Sequence, residues 1–594
     1  MFTFEVAEAT SAEGARVISN LRRRGFVAIL GSVISDWQPT GLPPGESLTA
    51  SVAELLAEPL VSRDTVSDWV RQAAFEHIME GCPNPEVLGD NLLELFSPTN
   101  PNPLHQAIAG LVAEGVIEHV ITTNYDVNLE TACRTICSSS RQPQVITTEE
   151  EADEVDPHRP AIFKIHGCVA YDSRRDPSEA RSMVYTLARE GELPAWKRRL
   201  LYRLMAGRHL LISGYSGRDF EICPELPRLQ AQIVWNCRSD LRVEPDSITP
   251  NARHVLTATG GTALVGDMRS ILGKLRGSEH IDAIRSERVP GLRDRLSNGL
   301  SEWDIELWRV RTLVAIGAAS EGIGVATRML ELARGTADRQ FNRLINLGRC
   351  QFNAGLYRQA AVTYRRAAAV GEREGRREWV IGAKSDLIEA LRCRGAWRKA
   401  LRELREVKAG LTPDDEWLHA AMALREVLLL RSWYQLVKGL KVIPMVAGRL
   451  RGRCRDLLKV LIRHAKEGHW LELQQAELLS RRLDIPFSEL YNGPLNPLPS
   501  KDGYRHLGYI IAESMALRDH LGLSGAEYSF DRLRRMVEAL IAAEAKPELW
   551  KLVFQIIRKL GWKATTTDQR KAAVRAWWST EYSPPMRAFI TFFH

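Results

Sequence analysis

The residues best suited to chemistry lie in two short stretches of the first half of the chain. Ile121–Glu130 holds the carboxamide of Asn124 and the carboxylate of Asp126, and a later stretch holds the imidazole of His166. A carboxamide can orient a water molecule, and an imidazole, whose pKa lies near neutrality, can accept a proton. Each residue also has a simpler interpretation, because asparagine is common in helix caps and a buried histidine often bonds to backbone. Their placement in the fold decides between these interpretations.

Segments with the composition of β-strands precede both stretches. Val116–Ile121 is a β-branched run that leads into the first stretch, and Ala161–Ile165 runs directly into His166. A helix is predicted over Val127–Cys137, with Asp126 as its cap. A strand that leads through polar residues into a helix places those residues at the carboxyl edge of a sheet, where open α/β folds bind ligands.

Four further apolar runs have the length of buried strands. They are Phe26–Leu30, His209–Ser213, Gln232–Trp235 and Thr262–Val265. The first is followed by the small-residue turn Gly31–Ser35, whose backbone amides could face a phosphate, and the second by Gly214–Ser216. Six strand-like runs separated by helix-length connections predict an α/β domain with a Rossmann-like parallel sheet and helices on both faces.

Taken in order, these motifs resemble the sirtuin-like NAD-binding domains, and more narrowly the bacterial antiviral members that hydrolyse NAD. The resemblance depends on four groups of residues, each placed after a strand. They are Thr122–Asp126 with Leu129 and Glu130, Lys164–Gly167, Gly214–Ser216 with Asp219, and Gly31–Ser35 followed by Pro39–Pro43. The resemblance covers roughly residues 10–275. We therefore expect a sirtuin-like NAD-binding domain over residues 1–278.

The resemblance implies a role for each matched position. Asn124 is expected beside the nicotinamide ribose, where it helps to place the attacking water. Asp126 is expected to shape the nicotinamide pocket, and His166 is expected to be the general base. The other implied contacts are Gly31, Ser32 and Ser35 at the pyrophosphate, Gly214, Tyr215, Ser216 and Asn236 near the adenosine half, and Thr122 in the central motif. NAD is thus expected as a substrate, with no permanently bound cofactor.

The chemistry of the bond between nicotinamide and ribose agrees with such a site. Nicotinamide departs as a neutral molecule, so its departure needs little acid catalysis. The reaction needs an aligned water and stabilisation of an oxocarbenium-like centre, and it does not need the paired carboxylates of a glycosidase. One positioned amide and one imidazole are sufficient in principle.

Two features depart from the family pattern. Val33 stands where many sirtuins have the second glycine of the first turn, and a β-branched residue there would limit the approach of the backbone to the pyrophosphate. The zinc module of deacetylating sirtuins also lacks its ligands, because Cys168 is the one cysteine between His166 and Gly214 and the sequence contains no Cys-x-x-Cys. We therefore expect no zinc, and this difference favours NAD hydrolysis over deacetylation.

From about residue 276 the strand-like runs give way to continuous helical periodicity. Small and aromatic residues over Leu347–Ala367 have the offsets of paired helices and resemble a tetratricopeptide repeat. A second copy follows 40 residues later, with Gly395, Trp397 and Ala400 in place of Gly355, Tyr357 and Ala360. We predict an all-α, tetratricopeptide-like solenoid over residues 279–410 and a C-terminal helical region over residues 411–594, with a loop at Asn492–Pro499. A helical bundle with chance similarity is the alternative.

The two halves of the chain carry opposite charge. Residues 1–280 hold 27 basic and 37 acidic side chains and residues 281–594 hold 53 and 36, so the halves carry −10 and +17. The basic half could meet an acidic partner, or its arginines could cover solvated helix faces, and it contains no recognisable nucleic-acid-reading motif. We recognise neither a targeting segment nor an apolar run of membrane-spanning length, and we expect a cytoplasmic protein with reduced cysteines.

These features favour an NAD hydrolase effector joined to a helical sensor. By resemblance to bacterial defence proteins, the trigger would be a phage-derived protein or a companion defence protein that meets the basic half. NAD depletion would then stop the infected cell, as in abortive infection, and the chain would form a homo-oligomer. The alternative is a sensor that binds NAD or a related nucleotide without cleaving it, which Val33 favours and which Asn124 and His166 oppose.

Overall fold

The computed structural model divides into two compact units. The first comprises Met1–Leu55 and Ala74–Leu300, and the second comprises Leu56–Ala73 and the chain from Ser301 onward. The described residues are 4–61, 63–64, 66–67, 75–174, 182–186, 193–217, 222–223, 225–239, 241, 244, 248–286, 289–315, 318–394, 396–412, 415, 418–419, 422–430, 444–464 and 485.

The first unit is built on a sheet of eight parallel strands. They are β1 (Glu5–Glu8), β2 (Phe26–Leu30), β3 (Ile117–Thr122), β4 (Gln144–Ile146), β5 (Ala161–Lys164), β6 (His209–Ser213), β7 (Gln232–Cys237) and β8 (Thr262–Val265). Their order in the sheet is β1-β8-β7-β6-β2-β3-β5-β4. The chain moves outward from β2 on one side and returns to β6 on the other, so the strand order reverses at β2. Open α/β sheets bind ligands at such a reversal.

The predicted parallel α/β sheet is confirmed, and all six predicted strands are present. The strands that sequence patterns miss, β1 and β4, lie at the two edges of the sheet. They are four and three residues long, and each holds only two apolar residues, next to Glu5 and Glu8 in β1 and next to Gln144 in β4. Such short edge strands lack the continuous apolar run of a strand that is buried on both faces.

Twelve helices of the first unit are described. They are α1 (Ala12–Arg24), α2 (Gly45–Ala57), α3 (Phe75–Glu80), α4 (Pro85–Phe96), α5 (Pro103–Ala113), α6 (Asn128–Ile136), α7 (Glu149–Asp153), α8 (Val169–Asp172), α9 (Ala195–Met205), α10 (Pro250–Thr259), α11 (Met268–Arg276) and α12 (Leu292–Ser297). One local prediction is corrected, because Val127 and not Asp126 is the N-cap residue of α6. The Asp126 carboxylate nevertheless accepts the amide of Asn128, the first helical residue, at 3.0 Å.

Alternate strand residues build two hydrophobic cores, one on each face of the sheet. On one face Ile29 and Phe163 pack with side chains of α9 and α10. On the other face Leu30 and Val120 pack with side chains of α1, α5, α6 and α11. Because both faces are covered, the central strand β2 is apolar along its whole length, and most of the polar side chains that could face a ligand stand at or beyond the strand ends.

The described part of the second unit is helical, as predicted. Its helices are α13 (Glu302–Ala315), α14 (Ala319–Arg328), α15 (Ala337–Asn353), α16 (Tyr357–Arg373), α17 (Arg377–Cys393), α18 (Trp397–Ala409) and α19 (Pro444–His464). Tyr357 and Trp397 begin α16 and α18, and Ala360 and Ala400 are fully buried at matching positions of these helices. The repeated spacing thus corresponds to repeated helix starts, whereas the tetratricopeptide character of the region stays a prediction.

Some predicted features lie outside the described residues. They are Asp219, the loop Asn492–Pro499 and the predicted C-terminal helices beyond Ile485. Within the described part of the chain, none of the helices has the length and apolar character that a membrane crossing requires.

Candidate active site

The stretches that carry Asn124 and His166 lie side by side at the carboxyl ends of β3 and β5. The two strands pair with Thr122 opposite Lys164, and the amide of Ile165 extends the pairing to the Thr122 carbonyl at 3.1 Å. Asn124 and His166 each stand two residues beyond this pair. Both are buried, with 9% and 4% of their surface exposed. The fold therefore brings the two side chains that were singled out from sequence to one edge of the sheet.

The turns after β2 and β6 meet at the same edge through two glycines. The amide of Gly31 donates to the Ser213 carbonyl at 3.1 Å. A Cβ atom on Gly31 would stand 2.2 Å from the carbonyl oxygen of Gly214 and 2.6 Å from the Cα atom of Tyr215. Gly214 has a φ of +65°, which disfavours any other residue. The turn predicted to contact pyrophosphate thus packs directly on the turn predicted to lie near adenosine.

The hydroxyl of Ser35 lies at the centre of a buried hydrogen-bond network. Its Oγ atom is 2.9 Å from Oδ2 of Asp126, 3.2 Å from Nδ2 of Asn124 and 3.2 Å from Nε2 of His105. The Nδ1 atom of His105 accepts the backbone amide of Asn102 at 3.3 Å. The network therefore joins the turn after β2, the N-terminus of α5 and the loop after β3.

The contacts determine where the protons lie. Because Nδ1 of His105 accepts the Asn102 amide, the neutral imidazole carries its proton on Nε2 and donates it to Ser35. The Asn124 amide is a second donor to Ser35, so the hydroxyl proton of Ser35 goes to the Asp126 carboxylate. The hydroxyl then donates once and accepts twice, which is its full capacity. Burial lowers the pKa of His105 to about 4, and the ring is therefore neutral at physiological pH.

The network fixes the orientation of the Asn124 carboxamide. Its Nδ2 atom is bound to Ser35, and its backbone amide donates to the Thr122 hydroxyl at 3.1 Å. Its Oδ1 atom is buried and has no hydrogen-bond partner among the residues that the structure describes. A buried acceptor without a partner costs about 1–3 kcal/mol, and a hydrogen bond from a bound water or ligand would remove this cost.

A buried ion pair lies beside this network. The Nζ atom of Lys164 is 3.0 Å from Oε1 of Glu130, and it also donates to the backbone carbonyl of Asp126. The side chains of Lys164 and Glu130 are only 1% and 6% exposed. Burial by itself would lower the pKa of Lys164, but the charges around it, among them those of Glu130 and Asp126, and its bond to Glu130 together outweigh burial and raise the pKa. A buried lysine cation therefore lies under the loop that carries Asn124.

The Asp126 carboxylate is held as an anion. Burial alone would raise its pKa, but the cation of Lys164 and two hydrogen bonds from Asn128 hold the pKa below its usual value. Those bonds come from the backbone amide and the side-chain nitrogen of Asn128, at 3.0 and 2.8 Å. A fixed negative charge thus stands at the strand ends, where it favours a developing positive charge on a ligand.

A short segment, residues 182–186, lies against the turn His166–Gly167. The amide of Val184 donates to the His166 carbonyl at 2.8 Å, and the phenol of Tyr125 donates to the Val184 carbonyl at 2.5 Å. Gly167 has a φ of +89°, and a Cβ atom there would stand 2.1 Å from a carbonyl oxygen of the segment. Only glycine allows this approach, and the segment covers the backbone of the predicted general base.

Two of the predicted contact residues tie strand ends together. The hydroxyl of Thr122 donates to the Leu30 carbonyl at 3.0 Å, so it joins β3 to β2. The amide nitrogen of Asn236 donates to the Gly266 carbonyl at 2.9 Å, and its oxygen accepts the Ser213 hydroxyl at 2.8 Å. These side chains hold the edge of the sheet in shape.

The remaining predicted contact residues differ in their surroundings. The Ser32 hydroxyl accepts the amide of Gly45, at the start of α2, at 3.3 Å. The Tyr215 ring is buried and stacks on Trp235 with a centroid distance of 5.8 Å, so it is part of the hydrophobic core. Ser216 is exposed and keeps its hydroxyl near the surface.

Val33 lies in a short 3-10 turn over Ser32–Ser35. Among the described residues other than glycine, Gln230 alone has a positive φ, so the backbone at Val33 is in an ordinary region for a β-branched residue. The Val33 side chain packs on the core that α5 and α11 cover. The turn therefore needs no glycine at this position, and the effect of Val33 on NAD affinity stays a prediction.

Sequence reasoning missed Asn102 and His105. Asn102 caps α5, with its side-chain oxygen accepting the amides of Leu104 and His105, and its side-chain nitrogen donates to the Ile34 carbonyl at 2.8 Å. The sequence signal was present, because asparagine followed by proline at the first helical position is typical of a helix start. The contact of His105 with Ser35 joins residues 70 positions apart, which no local pattern reports.

The described residues contain no group of three or more His, Cys, Asp and Glu side chains that could hold a metal ion. The nine cysteines are all free thiols, and eight of them are buried. Burial raises the pKa of Cys133, so this thiol stays protonated and unreactive. The expected absence of zinc stays a prediction.

Comparisons with known proteins concern the same part of the sheet. No curated protein matches the chain. Residues 118–233, which include Asn124, Asp126 and His166 and extend from β3 into β7, match the family described as the SIR2-like domain. This match supports a sirtuin-like domain in the first unit of the chain.

Proposed function

We propose that the first unit binds NAD and hydrolyses it to nicotinamide and ADP-ribose. One observation carries the proposal. The Asn124 amide is oriented by Ser35, keeps a buried oxygen without a partner among the described residues, and stands in register with His166 at the neighbouring strand end. The SIR2-like match includes Asn124 and His166 and supports an NAD-related function.

In the proposed reaction a water molecule attacks C1′ of the nicotinamide ribose as the bond from C1′ to the pyridinium nitrogen breaks. The bonding electron pair leaves with nicotinamide, which becomes neutral, and the new C1′–O bond yields ADP-ribose. The proton that the water loses passes to His166 and then to solvent. Asn124 Oδ1 accepts a hydrogen bond from the attacking water, and the negative charge of Asp126 stabilises the oxocarbenium-like centre.

The covered position of His166 supports hydrolysis over deacylation. A deacylase must bring an acyl-lysine chain as well as NAD up to the same histidine, whereas a hydrolase needs only NAD and water there. His166 is 4% exposed, and residues 182–186 bond to its backbone. The sequence also lacks the Cys-x-x-Cys pairs of a zinc module.

The biological role in the proposal is an effector of antiphage defence. Its support is the resemblance of the central motifs to bacterial antiviral NAD hydrolases, together with the division of the chain into a sheet unit and a helical unit. The helical unit would recognise a phage-derived protein or a companion protein, and NAD loss would then stop the infected cell. Oligomer formation and a cytoplasmic location belong to the same proposal.

A nucleotide sensor without catalysis is the second candidate. The burial of Asn124, Asp126 and His166 favours it, because a site that encloses its ligand can retain it. In this case NAD would bind stoichiometrically and be recovered intact.

The test is nicotinamide release from NAD by the purified full chain and its Asn124→Ala and His166→Ala variants. We expect a basal release by the untriggered wild type and a loss of at least about 100-fold from that rate in each variant. Asn20→Ala and His158→Ala change exposed residues of the same types and should leave the rate unchanged. The nucleotide-sensor hypothesis replaces the hydrolase hypothesis if the purified wild type binds NAD without consuming it. In that case, cells that express the wild type also keep their NAD with and without phage challenge.

A further inference from the structure

A strap, residues 280–286, crosses the site loop, residues 36–42, which directly follows Ser35. Strap and loop pair at one antiparallel bridge, between Trp37 and Arg285. Two backbone hydrogen bonds of 2.8 and 2.9 Å flank the bridge and run from the Gln38 amide to the Ile284 carbonyl and from the Ser286 amide to the Asp36 carbonyl. The strap is thus bound to the backbone of the loop on both sides of Trp37.

Side chains add to this contact. The Nε atom of Arg285 donates to Oδ2 of Asp36 at 2.6 Å, and the Asp36 side chain is only 10% exposed. Arg269, on α11, holds its guanidinium 4.9 Å from the centre of the Trp37 ring and donates to the Ala283 carbonyl of the strap at 3.1 Å. One arginine therefore fastens the strap to the loop, and another contacts both.

The site loop sets the position of the Ser35 network. The amide of Leu42 donates to the Ser35 carbonyl at 2.9 Å, which closes the loop on its own start. On the side away from the strap, the side chain of Asn102 donates to the Trp37 carbonyl at 3.2 Å. With the loop in this place, none of the three predicted catalytic side chains is more than 9% exposed. These three side chains therefore present little surface to a ligand.

The strap is the more weakly anchored partner. Ala283 anchors the strap in the hydrophobic core, but Ile284 is 73% exposed and the Arg285 side chain is 44% exposed, so the ion pair of Arg285 with Asp36 is partly screened by water. Segments with few buried contacts open before the core does. The chain continues from the strap through α12 to Leu300 and enters the second unit at Ser301. A change in the second unit can therefore act on the strap through the covalent chain.

We propose that the strap is an autoinhibitory device. Docked on the site loop, it keeps the nucleotide site closed, and its release, driven by the second unit, lets the loop open and admits NAD. This inference rests on the proposed function where it is tested by the rate of NAD hydrolysis. A second measurement, hydrogen exchange of the site-loop amides, does not depend on that function.

The first test releases the strap in the full chain. The double variant Arg285→Ala with Ser286→Pro removes the ion pair and one of the two backbone donors. We expect basal NAD hydrolysis, measured without any trigger, to rise at least about fivefold, and hydrogen exchange at the Gln38 and Leu42 amides to accelerate. Arg16→Ala, which breaks an exposed ion pair with Glu13 on α1, is the matched control and should change neither.

The second test locks the strap. Gln38 and Ile284 are exposed and are joined by a backbone hydrogen bond, and the native cysteines are buried or half-buried, so cysteines placed at both sites can be cross-linked selectively. The cross-linked double variant Gln38→Cys with Ile284→Cys should hydrolyse NAD more slowly than its reduced form, and reduction should restore the rate. Equal rates in the two forms would overturn the inference.

The two readouts separate failure of the strap from failure of the proposed function. If no form of the chain consumes NAD, the hydrolase proposal is wrong. The strap proposal is then tested by hydrogen exchange and by equilibrium binding of NAD. Release must then accelerate exchange in the site loop and tighten NAD binding. Unchanged exchange in a folded Arg285→Ala with Ser286→Pro variant would refute the strap whatever the catalytic result.

Discussion

The Nδ2 atom of Asn124 stands 3.2 Å from Oγ of Ser35, so a hydroxyl from the turn after β2 orients an amide from the loop after β3. An unrestrained carboxamide could turn its nitrogen or its oxygen towards the ligand. Here the nitrogen is bound to Ser35, so the oxygen is the atom that can accept a hydrogen bond from a ligand or a water molecule. The orientation of the proposed water-binding group is therefore a property of the fold and exists before the substrate binds.

Removal of the Ser35 hydroxyl should damage catalysis more than binding. Ser35→Ala leaves the donors of Asn124 and His105 and one acceptor of Asp126 without their common partner. We expect kcat for NAD hydrolysis to fall about 10–100-fold with a smaller change in KM, because the amide loses its orientation. Steady-state kinetics of nicotinamide release provide the measurement.

The control for that variant is Thr49→Val. Thr49 is also buried, and among the described residues its hydroxyl bonds to the Gly45 carbonyl of α2, at 2.9 Å. Thr49→Val should lower stability by about 1 kcal/mol, and Ser35→Ala should lower it by more, because three buried polar groups lose their partner. If the two variants retain the same kcat, the Ser35 hydroxyl does not orient the catalytic amide.

The layout of the sheet could be predicted because the central strands are buried on both faces. β2 and β6 are continuous apolar runs with small polar turns behind them, and each has the bounds that the sequence indicates. In a parallel sheet the carboxyl ends of the strands lie at one edge. Asn124 and His166 each follow a strand, so the strand pattern predicts that they lie at the same edge. The short polar edge strands carry no such signal.

The hydrogen-bond network could not be predicted in the same way. Ser35 and Asp126 are 91 positions apart, and Ser35 and Asn124 are 89 apart. Their contact depends on the distance between turns that follow different strands, which no local periodicity encodes. The strap was missed for the same reason, since Asp36 and Arg285 are 249 positions apart.

The buried pair of Lys164 and Glu130 should be costly to break from either side. Lys164→Met leaves the Glu130 carboxylate buried without its cation and should lower stability by about 3–5 kcal/mol. Glu130→Gln leaves the Lys164 cation buried without its anion and should also lower stability. The double variant should lose less than the sum of the two single losses, because no unpaired charge remains. Thermal unfolding of the four chains at pH 7 measures this coupling, and strictly additive losses would contradict it.

Acid should destabilise the first unit through buried neutral histidines. Burial lowers the pKa of His119, on β3, to about 4, and neither ring nitrogen has a hydrogen-bond partner among the described residues. Between about pH 6.5 and pH 4 the unfolded chain binds a proton that the folded chain does not, so stability falls as the pH falls through this window. His119 alone accounts for a loss of up to about 3 kcal/mol.

His119→Leu should remove that part of the acid sensitivity. Leucine has a similar volume and no polar atom to bury, so the variant should also equal or exceed the wild type in stability at pH 7. Unfolding measured from pH 7 to pH 4 tests both points, with His158→Ala, at an exposed site, as the control. An unchanged pH dependence in His119→Leu would show that the ring is not desolvated in the folded chain.

Gly31 should tolerate no side chain, because its neighbours are backbone atoms. The Cβ atom of Gly31→Ala would stand 2.2 Å from the Gly214 carbonyl oxygen, and neither turn can yield without displacing a strand end. We expect a loss of stability of about 1–3 kcal/mol together with a loss of NAD binding, measured by thermal unfolding and by titration with NAD. Gly45→Ala is the matched control, because no atom lies within 4 Å of its new Cβ, and it should bind NAD as the wild type does. Normal NAD binding by Gly31→Ala would mean that the contact between the two turns does not shape the nucleotide site.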